Sequence, residues 1–154
     1  MDVINNENFK EFRDQREFIG YTFEGLDVDY WERNRGSFEN CTFKNCRFGG
    51  EVSLIDCRFR NVFFNNCKFN GVSMEDSVFT LCKFNDCLIA YNNSFSGCIF
   101  YDVMFNDCEL VKNNFSNVSF NSTKFNRGKF YYNDMKGIIN KGLGHYLEGT
   151  DVKL

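Results

Sequence analysis

The stretch CTFKNCRF, residues 41–48, contains two copies of one short pattern: a cysteine, a phenylalanine two positions later, and then polar residues. The centres Phe38, Phe43 and Phe48 are spaced by five residues. Five fits neither the 3.6-residue period of a helix nor the two-residue period of a strand. A sustained helix is excluded, because this spacing would place apolar side chains on every face. The pattern predicts short extended segments separated by polar corners.

The five-residue spacing continues in both directions from this stretch. Twenty apolar centres run from Phe38 to Met135, with one-residue slips near Gly49-Gly50 and near Ala90-Tyr91. Phe18, Phe23 and Val28, twenty residues before Phe38, Phe43 and Phe48, add a further coil upstream. The position two residues before each centre holds a small or compact residue, and all eight cysteines occupy it. Because residues two apart in an extended segment point to the same side, both positions are predicted to face one interior.

The slips indicate how many segments make one coil. They are eight units apart, and eight divides by four and not by three. Sorting the small position by fours also gives coherent columns. One column is Cys46, Cys67, Cys87, Cys108 and Gly128, and another is Val52, Val72, Asn93, Asn113 and Asn133. The sequence therefore predicts four sides and about six coils, a rod roughly 25–30 Å long at ~4.8 Å per coil, with the three asparagines as a buried amide ladder.

These units resemble those of the pentapeptide-repeat family. Residues 41–45 and 67–71 match the family's five-residue unit closely, and the resemblance extends over residues 16–137. It implies an all-β fold, a right-handed quadrilateral β-helix (solenoid) with one pentapeptide on each side. Many members favour Leu at the centre and Ala before it, whereas this chain uses Phe and Cys.

The N-terminal end of the solenoid is expected to need closure, because open sheet edges pair with other chains. Residues 1–15 are interpreted as an N-terminal cap. Ile4, Phe9 and Phe12 lie at roughly helical spacing, with Asn5 and Asn6 as helix-capping residues, so a short helical lid is predicted.

Arg33 stands where the first coil should have its fourth apolar centre, which predicts that this side of the coil is open.

Residues 138–147 are apolar but interrupted by glycine, and residues 138–154 are interpreted as either a C-terminal cap or a dimerisation tail. The residues that would make the cap or the dimer contact are Ile138, Ile139, Leu143, Tyr146 and Leu147.

No residue pattern points to catalysis, a cofactor or a metal. The cysteines form no Cys-x-x-Cys pair, and their position equally accepts Val, Ser, Thr and Asn, so they are interpreted as small core residues. The single histidine, His145, has no accompanying nucleophile and acid. No phosphate loop, dinucleotide fingerprint or zincin motif occurs. The chain is predicted not to be an enzyme.

Charge and composition limit the partners and the location. Residues 1–37 hold nine acids against five bases, whereas residues 38–137 hold ten acids and eleven bases. No concentrated basic patch favours direct nucleic-acid binding. No apolar run is long enough to span a membrane, and the start lacks a basic and apolar leader. A cytoplasmic location with reduced thiols is expected, and the Asn, Lys, Phe and Ile bias favours a bacterial source.

Two groups of outward apolar residues are candidates for a protein-binding surface, since exposed apolar groups on a rigid solenoid often mark one. The first lies on one side of adjacent coils and comprises Val78, Leu81, Ile99 and Tyr101. The second lies near the corner with the slips and comprises Leu88, Tyr91, Val111, Tyr131 and Tyr132. The alternative is that bulge and tail residues cover both groups.

Two functions stay open from the sequence. The first is a non-catalytic scaffold that binds a protein partner, or itself, through a flat face of the solenoid. The alternative rests on the resemblance: some family members imitate DNA, bind DNA gyrase and protect it from quinolones. Acid rows such as Asp86 with Asp107 are short here, and Lys83, Lys124 and Arg127 interrupt them. This interruption favours the scaffold.

Overall fold

The chain winds into stacked coils of very short strands. The computed structural model describes residues 2–146, with side chains as far as residue 142. In chain order the elements are β1 (Val3–Ile4), α1 (Phe9–Phe12), β2 (Glu17–Ile19), β3 (Thr22–Glu24), β4 (Asp27–Glu32), β5 (Ser37–Glu39), β6 (Thr42–Lys44), β7 (Arg47–Ser53), β8 (Arg58–Arg60), β9 (Phe63–Asn65), β10 (Lys68–Phe69), β11 (Val78–Thr80), β12 (Lys83–Asn85), β13 (Leu88–Ala90), β14 (Ile99–Tyr101), β15 (Met104–Asn106), β16 (Glu109–Val111), β17 (Ser119–Asn126), β18 (Lys129–Tyr131) and β19 (Ile139–Tyr146).

The strands stack in parallel into four faces, as predicted. The first face contains β2, β5, β8, β11, β14 and the start of β17. The second contains β1, β3, β6, β9, β12, β15 and the end of β17, and the third contains β4, β7, β10, β13, β16 and β18. The fourth face consists of single bridges that link Ser53, Ser73, Ser94, Asn114 and Asp134. A four-sided parallel β-solenoid results.

The pairing register follows the repeat. Phe23 lies beside Phe43, twenty residues later, whereas Phe43 lies beside Phe64, twenty-one residues later, because the slip at Gly49-Gly50 intervenes. Equivalent centres therefore stay aligned from coil to coil despite the extra residue.

Phenylalanine ladders fill the interior. Within a face the rings stack nearly parallel: the Phe38 and Phe59 centroids are 4.9 Å apart, and those of Phe59 and Phe79 are 4.6 Å apart. This separation matches the ~4.8 Å spacing of neighbouring strands, which obliges identical side chains on adjacent strands to stack. Rings on neighbouring faces are tilted instead, as for Phe59 and Phe64 at 55°. Both arrangements are favourable for aromatic pairs.

The polar corners explain the abundance of Asn and Asp. The residue two positions after most centres has a left-handed backbone, for example Asn40 with φ 54°, Asn45 with φ 55° and Asp86 with φ 53°. Asn, Asp and Gly tolerate this conformation, which costs other residues roughly 1–2 kcal/mol. The five-residue unit is thus two inward positions plus one left-handed corner.

The N-terminal cap differs from the predicted helical lid. Ile4 belongs to strand β1, which pairs with β3, and the helix is one turn long, from Phe9 to Phe12. The prediction that Asn5 or Asn6 caps the helix is wrong, because Asn8 holds the capping position. The Asn5 side chain instead accepts hydrogen bonds from the backbone N–H groups of Glu7 and Asn8, and so forms the turn before the helix.

The first coil is closed beside Arg33, contrary to the expected gap. Trp31, two residues earlier, occupies the small inward position and is only 2% exposed. Phe9 packs edge-on against its ring at 5.1 Å, and the Trp31 indole N–H donates to the Arg13 carbonyl at 3.0 Å. The Trp31 ring thus fills the space that a small residue at position 31 and an apolar centre at position 33 would otherwise fill.

The C-terminal segment extends the solenoid. Strand β19 pairs in parallel with β17, so the chain makes about seven turns where six were predicted. Ile138 packs partly buried against the core, whereas Ile139 is exposed. Leu143 and Tyr146 belong to β19 by its backbone pairing, and Leu147 lies outside the described residues. The choice between a cap and a dimerisation tail stays a prediction.

The neighbouring residues Phe63 and Phe64 allow the effect of burying a phenylalanine in the core to be distinguished from the effect of merely having one. Phe64 is 1% exposed in its ladder, whereas Phe63 points outward beneath Lys83. We expect Phe64→Ala to lower the free energy of unfolding by about 3–5 kcal/mol, since it leaves a cavity, and Phe63→Ala to lower it by about 1 kcal/mol or less. Urea unfolding of both variants measures the difference, and equal losses would contradict the inward ladder.

Candidate interaction surface

An apolar patch lies on the first face, across β11 and β14. Val78 pairs in register with Ile99, and Thr80 pairs with Tyr101. The Leu81 N–H donates to the Tyr101 carbonyl at 3.0 Å, which places Leu81 at the corner of the same layer. Leu81, Ile99 and Tyr101 are each exposed over two-fifths or more of their surface. The structure therefore brings the first predicted group together as one contiguous patch, which we call the first-face patch.

Polar residues border this patch along the rod. Arg58 and Arg60 on β8 lie beside Val78 and Thr80, towards the N-terminal end. Ser119 and Asn121 on β17 lie beside Ile99 and Tyr101, towards the C-terminal end. A small apolar centre with a polar rim is the usual composition of a protein–protein interface.

Leu81 has an unfavourable backbone for its side chain. Its φ is 56°, in the left-handed region, at a corner where the neighbouring coils have Asn61 and Asp102. A leucine there lacks the local hydrogen bonding by which Asn and Asp offset the left-handed conformation. It also exposes an apolar side chain to water. Such a local cost at a surface position suggests a function.

The second predicted group is only partly contiguous. Val111 pairs with Tyr131 on the third face, and the Tyr131 and Tyr132 rings are 6.4 Å apart. Tyr91 lies at the adjacent corner, where the Lys112 ammonium is 5.8 Å from its ring. Leu88 is set apart at the far edge of the face, in register with the charged residues Lys68 and Glu109. Charged residues therefore interrupt this group more than they interrupt the first-face patch.

An open polar groove that the sequence did not indicate runs beside Tyr132. The residues that line it are Glu75, Asn92, Asn93, Ser94, Lys112, Asn113, Asn114, Tyr132 and Asp134. The Ser94 hydroxyl donates to the Glu75 carboxylate at 2.9 Å. No charge dominates the groove, because two acids face one base.

The eight cysteines are buried, free thiols. Each donates to a backbone carbonyl of the preceding coil, as Cys82 does to Phe59 at 3.4 Å. Burial raises the pKa of the Cys57 thiol to about 11, and those of Cys82 and Cys98 to about 12. Among the side chains of residues 2–142, no group of three His, Cys, Asp or Glu is placed to hold a metal ion. These thiols act as compact core groups.

Two asparagine ladders run along the rod. The predicted interior ladder is confirmed: the Asn93 amide donates to Asn113 at 2.9 Å, and the Asn113 amide donates to Asn133 at 3.0 Å. A second ladder on the outside of the second face joins Asn65, Asn85, Asn106 and Asn126. Sorting the position after each centre by fours would have revealed it in the sequence.

Five-residue units wound into a four-sided parallel solenoid define a class of protein. A family model described as "Pentapeptide repeats (9 copies)" matches residues 43–88, and the same register continues on both sides of that match. Residues 43–88 therefore consist of pentapeptide repeats. No curated protein matches it. In the described part of the chain, no helix is long and apolar enough to cross a membrane.

Several solved structures match most of the chain, with sequence identities of 8–13% and TM-scores below 0.5. The pentapeptide repeat protein Rfr23 from the cyanobacterium Cyanothece 51142 is 13% identical with a TM-score of 0.49, covering 94% of this chain and 96% of that one. Full-length QnrB1, a plasmid-mediated fluoroquinolone resistance protein, is 11% identical with a TM-score of 0.34, covering 96% and 90%. HetL, a pentapeptide repeat protein involved in heterocyst differentiation regulation from Nostoc, is 8% identical with a TM-score of 0.20, covering 97% and 100%.

The raised thiol pKa values predict a loss of stability at alkaline pH. A thiol that titrates near 9 when unfolded and near 12 in the native protein keeps its full contribution below pH 9 and loses it as pH rises towards 12. Each such thiol should cost about 1.4 kcal/mol per pH unit in that window. Urea unfolding at pH 8 and pH 10 measures this.

Cys82→Val is the matched variant for this measurement, because Val62 and Val103 occupy the same column one coil away on either side. It should lose less stability than the parent between the two pH values, by about 1.4 kcal/mol. Equal losses would show that Cys82 does not titrate as its burial requires.

Proposed function

We propose that the protein is a non-catalytic scaffold that binds a protein partner through the first-face patch. The observation that carries the proposal is the contiguous set Val78, Leu81, Ile99 and Tyr101 on two adjacent coils. The parallel strands and stacked rings beneath it make this surface flat and rigid, so little conformational entropy is lost when a partner docks. Tyr101 is the expected anchor, since tyrosine is enriched among residues that dominate binding energy.

The cost at Leu81 supports this assignment. An asparagine at this corner would relieve the left-handed strain and remove exposed apolar surface at once. A partner that covers the Leu81 side chain would offset the cost of exposing it to water. The second group supports docking less well, because Leu88 lies between the charged residues Lys68 and Glu109 of the neighbouring coils.

Imitation of DNA is the alternative function, and the charges of the rod support it poorly. A DNA mimic needs continuous rows of acids where DNA has phosphates. At the second corner, Arg127 pairs with Asp107 at 3.2 Å and ends the row that begins with Asp86. On the third face, Arg47 of β7 bridges Asp27 and Asp29 of β4. Bases of the rod thus pair with acids at both places.

Replacing Leu81 should raise stability and weaken binding together. We expect Leu81→Asn to increase the free energy of unfolding by about 1 kcal/mol, because asparagine tolerates φ 56°. Lys112→Asn is the control, since Lys112 has the same φ on another face. Both variants should be stabilised in urea unfolding, and only Leu81→Asn should lose binding. A destabilised Leu81→Asn would contradict the strain at this corner.

Site-specific photo-crosslinking tests the docking face directly. A benzoylphenylalanine replaces Tyr101 in one variant and Glu39 in another, because both occupy the outward position after a first-face centre, three coils apart. In cells that express the chain, we expect a discrete protein adduct at position 101 and none at position 39. Adding Ile99→Lys should abolish the adduct. Equal adducts at both positions, or none at 101, would refute the proposal.

A DNA gyrase supercoiling assay tests the alternative. We expect neither inhibition nor protection from a quinolone at micromolar protein, because bases interrupt the acid rows. Inhibition or protection would support DNA mimicry instead of the scaffold function. The crosslinking result at position 101 tests the first-face patch independently of this assay.

A further inference from the structure

The first coil has one outward acid on each of the four faces. Glu17 lies on the first face, Glu24 on the second, Asp27 on the third and Glu32 at the start of the fourth. All four are exposed. Residues 1–36 hold nine acids and five bases, a net charge of −4. We call these four residues the acidic ring.

The last coils have one outward base on each of the same faces. Lys141 lies on the first face, Lys124 on the second, Lys129 on the third and Lys136 on the fourth. These lysines are exposed as well. Residues 118–154 hold six bases and three acids, a net charge of +3. We call these four residues the basic ring.

Two acids of the acidic ring are paired within the chain, Glu24 with Lys44 at 3.8 Å and Asp27 with Arg47, whereas the other ring charges among residues 2–142 are uncompensated. Residues 37–117 between the two rings hold nine acids and seven bases, a net charge of only −2, so the charges separate along the rod. Among residues 2–142, none of the four lysines of the basic ring lies within 4.0 Å of a carboxylate, and neither do Glu17 and Glu32 find a cation at that distance.

Exposed apolar side chains accompany the charges at both ends. Val3, Ile19 and Tyr30 are exposed near the acidic ring, and Tyr132 and Ile139 near the basic ring. Apolar contacts with a charged rim are the composition of a protein interface rather than of an inert end.

We propose that the occupant of each end is the opposite end of a second copy of this chain, so that the rods associate head to tail. Equal ring size and one charge per face allow two collinear rods to match their charges face by face. On the first, third and fourth faces the opposed ring charges would be about one strand spacing apart, roughly 5 Å, which is within the Debye length of about 8 Å at 0.15 M salt. On the second face β19 and β1 would lie between Lys124 and Glu24, so this pair contributes least. Such a contact is heterologous and generates an open linear assembly.

Sedimentation velocity of the intact chain at 20 mM and 500 mM NaCl tests the assembly. We expect the weight-average mass to rise with protein concentration at low salt, and the association to weaken at high salt by at least about tenfold, because the paired charges are exposed. A wild-type chain that stays monomeric at low salt would overturn the proposal.

Charge reversal shows which ends meet. The double variant Glu17→Lys with Glu32→Lys, and separately Lys136→Glu with Lys141→Glu, should each weaken association at least about tenfold, because like charges then face each other. Combining all four substitutions in one chain should restore it. The control Glu51→Lys with Glu75→Lys makes the same change in net charge between the ends and should associate like wild type.

Two results would overturn the head-to-tail contact. If Glu17→Lys with Glu32→Lys associates as strongly as wild type, the N-terminal end is not involved and the contact joins two C-terminal ends. If the combined variant does not recover association, the rings do not meet. Circular dichroism and urea unfolding of each variant verify the fold, and the salt dependence of the wild type remains decisive if any variant fails to fold.

Discussion

The spacing between stacked strands governs this molecule. Parallel strands lie ~4.8 Å apart, and stacked rings such as Phe23 and Phe43 have centroids 4.3 Å apart. The backbone ladder and the side-chain ladder therefore share one repeat along the rod. Because the two repeats agree, an apolar side chain can stack on the equivalent side chain of the next coil while the backbones of the two coils hydrogen-bond to each other.

The same constraint explains the polar columns. An asparagine placed above another can donate its amide to the carbonyl oxygen below, as Asn93 does to Asn113, and its second N–H reaches the Phe69 backbone carbonyl. Buried amides are costly unless satisfied, and stacking satisfies them at every step. Cysteine uses the same geometry more weakly, through its contact to a carbonyl of the coil before.

Most of the fold could be predicted from the sequence because it repeats. Period, column sorting and slips specified the four faces, the inward positions and the interior asparagine ladder. What does not repeat could not be found in this way: Trp31 fills the first coil as a single large ring, and the cap before it is a two-residue strand and one helical turn. The residues of the candidate surface could be predicted, because the register of the repeat determines which side chains point outward and on which face. The left-handed strain at Leu81 became visible only in the backbone.

Both extra residues of the chain fall at one corner, between the third and fourth faces. Gly50 has φ 56° there, and two coils later Tyr91 and Asn92 have φ 68° and 66°, yet the columns on either side stay in register. This corner accommodates an inserted residue without changing the register of the neighbouring strands. A peptide inserted at this corner would project from the solenoid while the strands on every face stay in register. The corner is therefore the natural site for an engineered or an evolutionary insertion.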